Sequence, residues 1–415
     1  MGVRRNNGGF CRRRKGEDSL NSPGYSQMGR ELWTVYPSES TAYYWIDTPL
    51  GKWLWRRGIH LKRIRYGLVG CGRIAANHLK AACACEGIEV AALCDLAPSK
   101  GEDLAEKFSL HPVVYRDYEK MLEQEHLDLV AVATDSGSHG TIAAACLWAG
   151  CSTLVEKPIA LSIAEAENLL SLASKKGLVL AVCHQNRFNR AVQRVKQAVD
   201  RGELGRIFHL SASVLWNRGE SYYRQADWRG RWESDGGVLM NQCIHNIDLL
   251  RYLGGEAAEV FAYTDRLNHP YIEGEDLGLA VVRFANGSYG LLEGTSNIFP
   301  ENLEETLSIY GEKGTVRIGG KSVNRLEIFR TKSGEEDLSA FEEVPGNIYG
   351  FGHTALYRDV AECIQTGRQP LCNGEDGLRA LELVLAVYQS AAEHRPVSLP
   401  LKEGWSGAYK GRFDR

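Results

Sequence analysis

Short apolar runs alternate with amphipathic stretches from residue 64 onward, regularly enough to predict elements. "IRYGLV" reads as a buried strand, and a helix follows the Gly-rich turn "GCGRIA". "IEVAALCD" is a second strand ending at Asp95, with a second helix behind Pro98. The same grammar continues through the strand "DLVAVATD", Ser138 as the N-cap of a helix reaching Trp148, the strand "STLVEKP", the helix "SIAEAENLLSLASKKG" and the strand "LVLAVCHQN". Strands alternating with helices predict an α/β domain over residues 62–185, a doubly wound parallel sheet with ligands at the carboxyl ends of its strands.

Beyond Asn186 the pattern changes to paired strands. "IFHLSASVLW" alternates as a half-buried strand, and "DLGLAVVRFANGSYGLLEGTS" is two strands around Asn286-Gly287, a hairpin signal. "TLSIYGEKGTVRIGG" and "VNRLEIF" extend the series, and two amphipathic helices, "GHTALYRDVAECIQTG" and "GEDGLRALELVLAVYQSAAEH", close the chain. This predicts an α+β domain over residues 186–415 with a large, mostly antiparallel open sheet. Inside it lies "GGVLMNQCIHNIDLL", Gly236 to Leu250. As a helix it would align Asn241, His245 and Asp248 on one face among apolar residues. A hydrogen-bonded core histidine explains that pattern in the plainest way. The alternative is a general acid or base beside a bound substrate.

Composition narrows the class. The chain has 415 residues, a formal charge of -3, 44% hydrophobic and 24% charged residues. That is an ordinary globular balance for two domains, with no electrostatic footprint for nucleic acid. No run of apolar residues is long enough for a membrane span. The 11 cysteines are scattered, without C-x-x-C spacing, and read as reduced packed thiols of a cytoplasmic protein with no metal site. Residues 1–61 begin basic and rich in Gly, Asn and Ser, lack the apolar core of a secretory signal, and are too acidic after Lys15 for a transit peptide. They are expected to be a disordered or artefactual extension.

The candidate chemistry begins at the first turn, where Gly70, Gly72 and Ala75 form G-x-G-x-x-A, with Arg73 and Ile74 between them. One glycine allows the turn, the next admits a pyrophosphate, and Ala75 packs helix on strand. Asp95, twenty residues beyond Ala75 at the end of the second strand, suits ribose hydroxyls and would repel a 2′-phosphate, so the expected cofactor is NAD. The competing role for Asp95 is to cap the next helix. Thr134, Asp135, Ser136, Glu156, Lys157 and Gln185 fall at strand ends and would line one crevice, with His139 close behind. Lys157, desolvated beside a nicotinamide, could trade a proton with a substrate hydroxyl; an exposed lysine paired with Glu156 is the bland alternative. Arg229 could clamp a carboxylate or phosphate, and Tyr222, Tyr223 and Trp228 offer faces to a sugar or base. An aromatic-rich surface loop would look the same.

The G-x-G-x-x-A turn, "VEKP" and "GGVLMNQCIHNIDLL", in this order and spacing, resemble the Gfo/Idh/MocA oxidoreductases over residues 64–397. The resemblance implies an NAD-binding Rossmann domain followed by a substrate domain, with Lys157 and His245 flanking the reacting carbon as catalytic residues. The position four before that histidine is frequently aspartate in the family and is Asn241 here, which favours a neutral hydrogen-bonding role. "YYRQADWRGRWESDGGVLMNQCIHNIDLL", "YGEKGTVRIGGKSVNRLEIF" and "NIYGFGH" carry a narrower resemblance, to the UDP-N-acetyl-2-amino-2-deoxyglucuronate 3-dehydrogenases. That group implies a nucleotide-sugar substrate held by Lys157, Tyr223, Trp228, Arg229, Asn241 and His245, and oxidation at C3. Some members of the family keep their nucleotide bound and recycle it with a second substrate, a 2-oxo acid such as 2-oxoglutarate, and the sequence is compatible with that. Members commonly form dimers or tetramers, so a homo-oligomer is expected. Two rival functions remain: a dehydrogenase of a free polyol or hexose, and a dinucleotide-sensing binding protein of the same fold without turnover.

Overall fold

A computed structural model describes residues 63–332, 334–343 and 351–414. The expected extension over residues 1–61 and residues 347–350 of "NIYGFGH" lie outside the described residues.

The first sheet has six parallel strands: β1 (Ile64–Val69), β2 (Ile88–Cys94), β3 (Val113–Tyr115), β4 (Leu129–Val132), β5 (Ser152–Val155) and β6 (Leu180–Val182). Their spatial order is β3-β2-β1-β4-β5-β6, so the winding reverses between β1 and β4. A crevice opens at the carboxyl ends there, as the alternation of elements predicts. Five helices cover the sheet: α1 (Ala75–Cys83), α2 (Pro98–Lys107), α3 (Tyr118–Gln124), α4 (His139–Trp148) and α5 (Ile163–Lys176). Strands β4 to β6 are buried along their whole length, which is why they read as unbroken apolar runs. Helix α5 starts where the Ser162 hydroxyl accepts from the Glu165 N–H at 3.2 Å and stops at left-handed Gly177. Ser138 does precede α4, but its hydroxyl bonds Thr134 Oγ1 at 2.7 Å instead of capping the helix.

After α6 (Arg190–Asp200) the chain builds a nine-stranded sheet from β7 (Ile207–Leu215), β8 (Ala257–Asp265), β9 (Leu277–Phe284), β10 (Tyr289–Thr295), β11 (Glu304–Gly311), β12 (Gly314–Gly319), β13 (Arg325–Thr331), β14 (Gly334–Glu335) and β15 (Val397–Ser398). All its pairings are antiparallel except β7 with β10. Asn286-Gly287 turns β9 into β10, with Gly287 at φ +85°. One face carries α7 (Ile244–Gly254) and α9 (Gly374–Glu393), whose apolar residues share a core with β7, β9, β10 and β11.

The six strands of the first sheet all precede residue 186 and the nine of the second all follow it, while one late helix packs on the first sheet. In α8 (Gly352–Thr366), Leu356, Tyr357 and Val360 pack with Ile64, Leu68 and Leu79 of the parallel-sheet layer. α8 thus follows the second sheet in sequence and packs on the first. Its amphipathicity announces burial without saying against which sheet.

Candidate functional site

The turn after β1 needs glycine first. Gly70 has φ +97°, and a Cβ there would come within 2.5 Å of the Ala133 carbonyl. Gly72, by contrast, has open space around it and is exposed, so backbone is presented to whatever lies over the turn. Ile74 occupies the cap position of α1, and buried Ala75 seats the helix on the sheet. Asp95 stands beside this turn: its carboxylate accepts from Cys71 N–H and Ala97 N–H, both at 2.9 Å. Each oxygen retains a lone pair for a ligand hydroxyl. Thr134 and Ser136 follow β4 across the same crevice. These residues fit the pyrophosphate and ribose of a dinucleotide, with an exposed amide turn at a helix N-terminus and a carboxylate one strand away.

Farther along the crevice the two halves of the chain meet in a pocket. Arg73, Lys157, Gln185, Asn186, Trp216, Arg218, Tyr222, Asn241, Gln242, His245 and Glu305 line it. Lys157, just past β5, donates from Nζ to the Asn241 carbonyl at 2.7 Å. Burial lowers its pKa, Glu156 and Asp235 oppose that, and the Arg229 guanidinium adds to it. His245, on the first turn of α7, is held well below the ordinary imidazole range by burial, by Lys157 and by the edge-on ring of His184 at 5.9 Å. It is therefore a neutral base near pH 7, and its Nδ1 is buried without a hydrogen-bond partner. Just before it, Leu239–Cys243 forms a π-helical turn carrying Asn241 and Gln242. The Asn241 amide donates to Asp235, and Gln242 donates to Asn241 Oδ1 at 3.2 Å and to the Tyr222 hydroxyl at 3.0 Å.

Three arginines gather around Tyr222. The Arg229, Arg218 and Arg73 guanidiniums lie 4.3, 5.1 and 5.7 Å from its ring centre. Arg229 is also 4.7 Å from the Trp228 ring, and Arg218 is 4.4 Å from the Trp216 ring. Glu305 on β11 reaches the pocket wall while only 2% exposed, and burial pushes its carboxyl up to about 8 against the pull of Arg218.

Some expected contacts sit elsewhere. His139 is buried with Nδ1 2.7 Å from the Pro158 carbonyl and Nε2 3.3 Å from that of Thr134, so its ring faces the strand-end carbonyls. Glu156 points away from the pocket, with Oε1 3.1 Å from His78 Nε2. Burial alone would raise its carboxyl, but hydrogen bonds from His353 and His78 hold it well below the usual range. His78, Glu156 and Cys183 place donor atoms within 4.8 Å of one another. That spacing could hold a metal, but the His78 nitrogens are already engaged by Glu156 and the Tyr357 hydroxyl. Tyr223 is buried, bonding Ser296 at 3.3 Å, and its neighbour Tyr222 faces the pocket. Trp228 supports Arg229 instead of lining the cavity. Asp248 takes Arg187 in two bonds of 2.7 and 2.6 Å and is structural. Sequence reasoning missed Arg218, Gln242, Asp235 and Glu305. Among the described residues every cysteine is free, and all but Cys83 are buried, as expected. No described helix is long and apolar enough to cross a membrane.

Comparison with known proteins agrees with this geometry. Residues 64–184 match the profile of an oxidoreductase family's NAD-binding Rossmann fold, and residues 196–399 match the C-terminal alpha/beta domain of the same family, GFO_IDH_MocA. The chain is similar to the WlbA dehydrogenase of Bordetella pertussis, solved with NADH and UDP-GlcNAcA, at 36% identity and TM-score 0.78, covering 82% of this chain and 99% of that one. The WlbA dehydrogenase of Chromobacterium violaceum, with the same two ligands, gives 36% identity and TM-score 0.76, over 82% and 97%. Sequence relatives include a D-apiose dehydrogenase of Paraburkholderia graminis, 29% identical over 82% of this chain and 90% of its own length. A myo-inositol 2-dehydrogenase of Thermotoga maritima is 25% identical, over 81% and 98%.

Proposed function

The chain belongs to the Gfo/Idh/MocA oxidoreductases and is an NAD-dependent dehydrogenase of CH–OH groups, and from that premise we propose that it oxidises the C3 hydroxyl of UDP-N-acetyl-2-amino-2-deoxyglucuronate to the 3-keto sugar, in nucleotide-sugar metabolism for surface polysaccharide. The observation that carries this reading is the pocket's character. Arg73, Arg218 and Lys157 line it, and Tyr222 and Trp216 give it aromatic walls. An anionic sugar nucleotide matches both features, whereas a free polyol supplies no charge for the guanidiniums. The two WlbA dehydrogenases, solved with UDP-GlcNAcA, are also more similar in sequence than the polyol and pentose dehydrogenases reported above.

Gly70–Ala75 and Asp95 would hold NAD, which would supply the hydride acceptor. His245 takes the hydroxyl proton on Nε2, because it is neutral at working pH. Lys157 has three N–H donors and spends one on the Asn241 carbonyl, so two remain for the oxygen that becomes the ketone. Asn241 Oδ1, held by Gln242, keeps an acceptor lone pair for a neighbouring hydroxyl. A 2-oxo acid such as 2-oxoglutarate, also an anion, serves as recycling oxidant in the same pocket.

The test is mass spectrometry of the UDP-sugar after incubation with enzyme, NAD and excess 2-oxoglutarate. Loss of two hydrogens from the sugar is expected. An unchanged UDP-sugar alongside NAD-dependent oxidation of a free pentose or inositol would overturn the proposal and install the second reading, which the apiose and inositol dehydrogenase relatives favour. NAD binding without turnover of either would leave a sensing module.

A further inference from the structure

We propose that Asp235 is a positioning residue of this site: it fixes the orientation of the Asn241 carboxamide and sets a carboxylate beside the Lys157 ammonium. The inference rests on the reading above only in assigning Lys157 its part in turnover.

Asp235 ends the loop that carries Trp228 and Arg229 and is 2% exposed. Its Oδ2 accepts from Gly230 N–H at 2.7 Å, which closes the loop, and its Oδ1 accepts from Asn241 Nδ2. A carboxylate is acceptor-only, so it forces the Asn241 amide nitrogen toward itself and leaves Oδ1 toward Gln242. Gln242 donates there and to Tyr222, and the order runs from the loop through the π turn back to the pocket wall. The backbone of the same Asn241 receives Lys157. One carboxylate thus sets the side chain of the residue whose carbonyl anchors the lysine.

The charged and titratable groups facing Asp235 are Lys157 from the end of β5, Arg229 on its own loop, and Tyr222 and Tyr223 from the one-turn helix Glu220–Tyr223. Around Lys157 stand Glu156, Asp235, Arg229, Cys183 and His245. Within this set Asp235 and Glu156 favour the ammonium and Arg229 opposes it. Glu156 is committed to His78 and His353, so of these two carboxylates Asp235 is the one joined to Asn241, the residue that anchors the lysine.

Asp235→Asn places an amide where the acceptor stood, and two amide nitrogens then confront each other. The double variant Asp235→Asn with Asn241→Asp reverses the donor and restores the bond. In it the amide oxygen introduced at position 235 still accepts from Gly230 N–H, and the negative charge stays beside Lys157.

Two readouts on the full-length protein decide the matter. One is turnover against pH. The other is the pH dependence of Lys157 acylation by acetic anhydride, followed by peptide mass spectrometry, which needs no substrate. For Asp235→Asn we expect at least a tenfold loss of kcat, unchanged NAD affinity, and Lys157 reactivity beginning about one pH unit lower. The double variant is expected to recover most of both. A folded single variant with wild-type acylation profile would overturn the proposal, and so would a double variant as impaired as the single one in both readouts. If the wild type turns over no UDP-sugar, the function reading fails while the acylation profiles still judge Asp235.

Discussion

In the proposed mechanism Lys157 and His245 share a substrate oxygen with opposite tasks, and their environments separate their protonation states. Burial and Lys157 keep His245 neutral far below pH 6.5, so the acid limb of kcat/KM is expected well below the ordinary imidazole range. Lys157 is lowered by burial, so activity should fall as pH rises through its depressed pKa and the ammonium is lost. A pH profile with an acid limb near 6.5 would contradict this. Lys157→Met should cost about 10²–10⁴-fold in kcat while NAD binding, followed by fluorescence titration, stays within about twofold. Asp95→Ala should weaken NAD relative to NADP in the same titration. These residues were legible because each belongs to a local motif: the glycine turn, a strand end, a helix stripe. Arg218 and Glu305 were not, because Arg218, just beyond β7, and Glu305 on the neighbouring β11 meet at the pocket from positions 87 residues apart. Nor could the sequence separate Tyr222 from Tyr223, whose roles depend on the phase of a one-turn helix.

At the scale of elements, the helix of Gly236–Leu250 was visible in its apolar spacing, but its π turn was not, since one extra residue in the ladder leaves that spacing nearly intact. The turn is held from below by Glu275. Its Oε1 accepts from Leu239 N–H and from the Tyr388 hydroxyl, both at 2.9 Å, and its backbone carbonyl accepts from Val238 N–H at 2.9 Å. A Cβ on Gly237 would overlap this carboxyl, so only glycine lets the turn pass. Burial pushes Glu275 up to about 8, so the folded protein keeps a proton that the unfolded chain releases from about pH 4.3 upward. Its contribution is complete below that unfolded value and declines as pH rises toward 8. Glu275→Gln stays neutral and escapes the decline. Between pH 5 and 8 the wild-type Tm should fall about 5 °C or more further than the variant's. Parallel melting curves by calorimetry would refute the protonated cap.

For the whole molecule, the alternation of β8, β9 and β10 leads to one conclusion beyond the pocket. One face of their sheet is covered by α7 and α9. On the other, Tyr263, Leu279, Val281 and Leu291 are 62, 42, 49 and 51% exposed. Strand register lines them up, with Phe261 opposite Val281 and Val281 opposite Leu291, and Tyr263 opposite Leu279. One apolar row, Phe261, Val281 and Leu291, crosses three strands; the second, Tyr263 and Leu279, crosses two and meets Glu293 on β10, while Arg283 and Glu259 at the edge pair with each other at 3.3 Å. An exposed apolar patch of this kind is complementary to itself. The occupant we infer is a second copy of this chain, related by a twofold axis that lays the rows of one protomer over those of the other. The pocket lies among α7, β11 and the first sheet, so splitting this contact should leave NAD binding intact. Val281→Glu with Leu279→Lys places a charge in each row at solvent-facing positions that the monomer tolerates. Light scattering after size exclusion should give a dimer or larger assembly for the wild type and about 46 kDa for the variant. A wild type that runs as a monomer, or a variant that keeps the wild-type mass, would remove the second copy from this face.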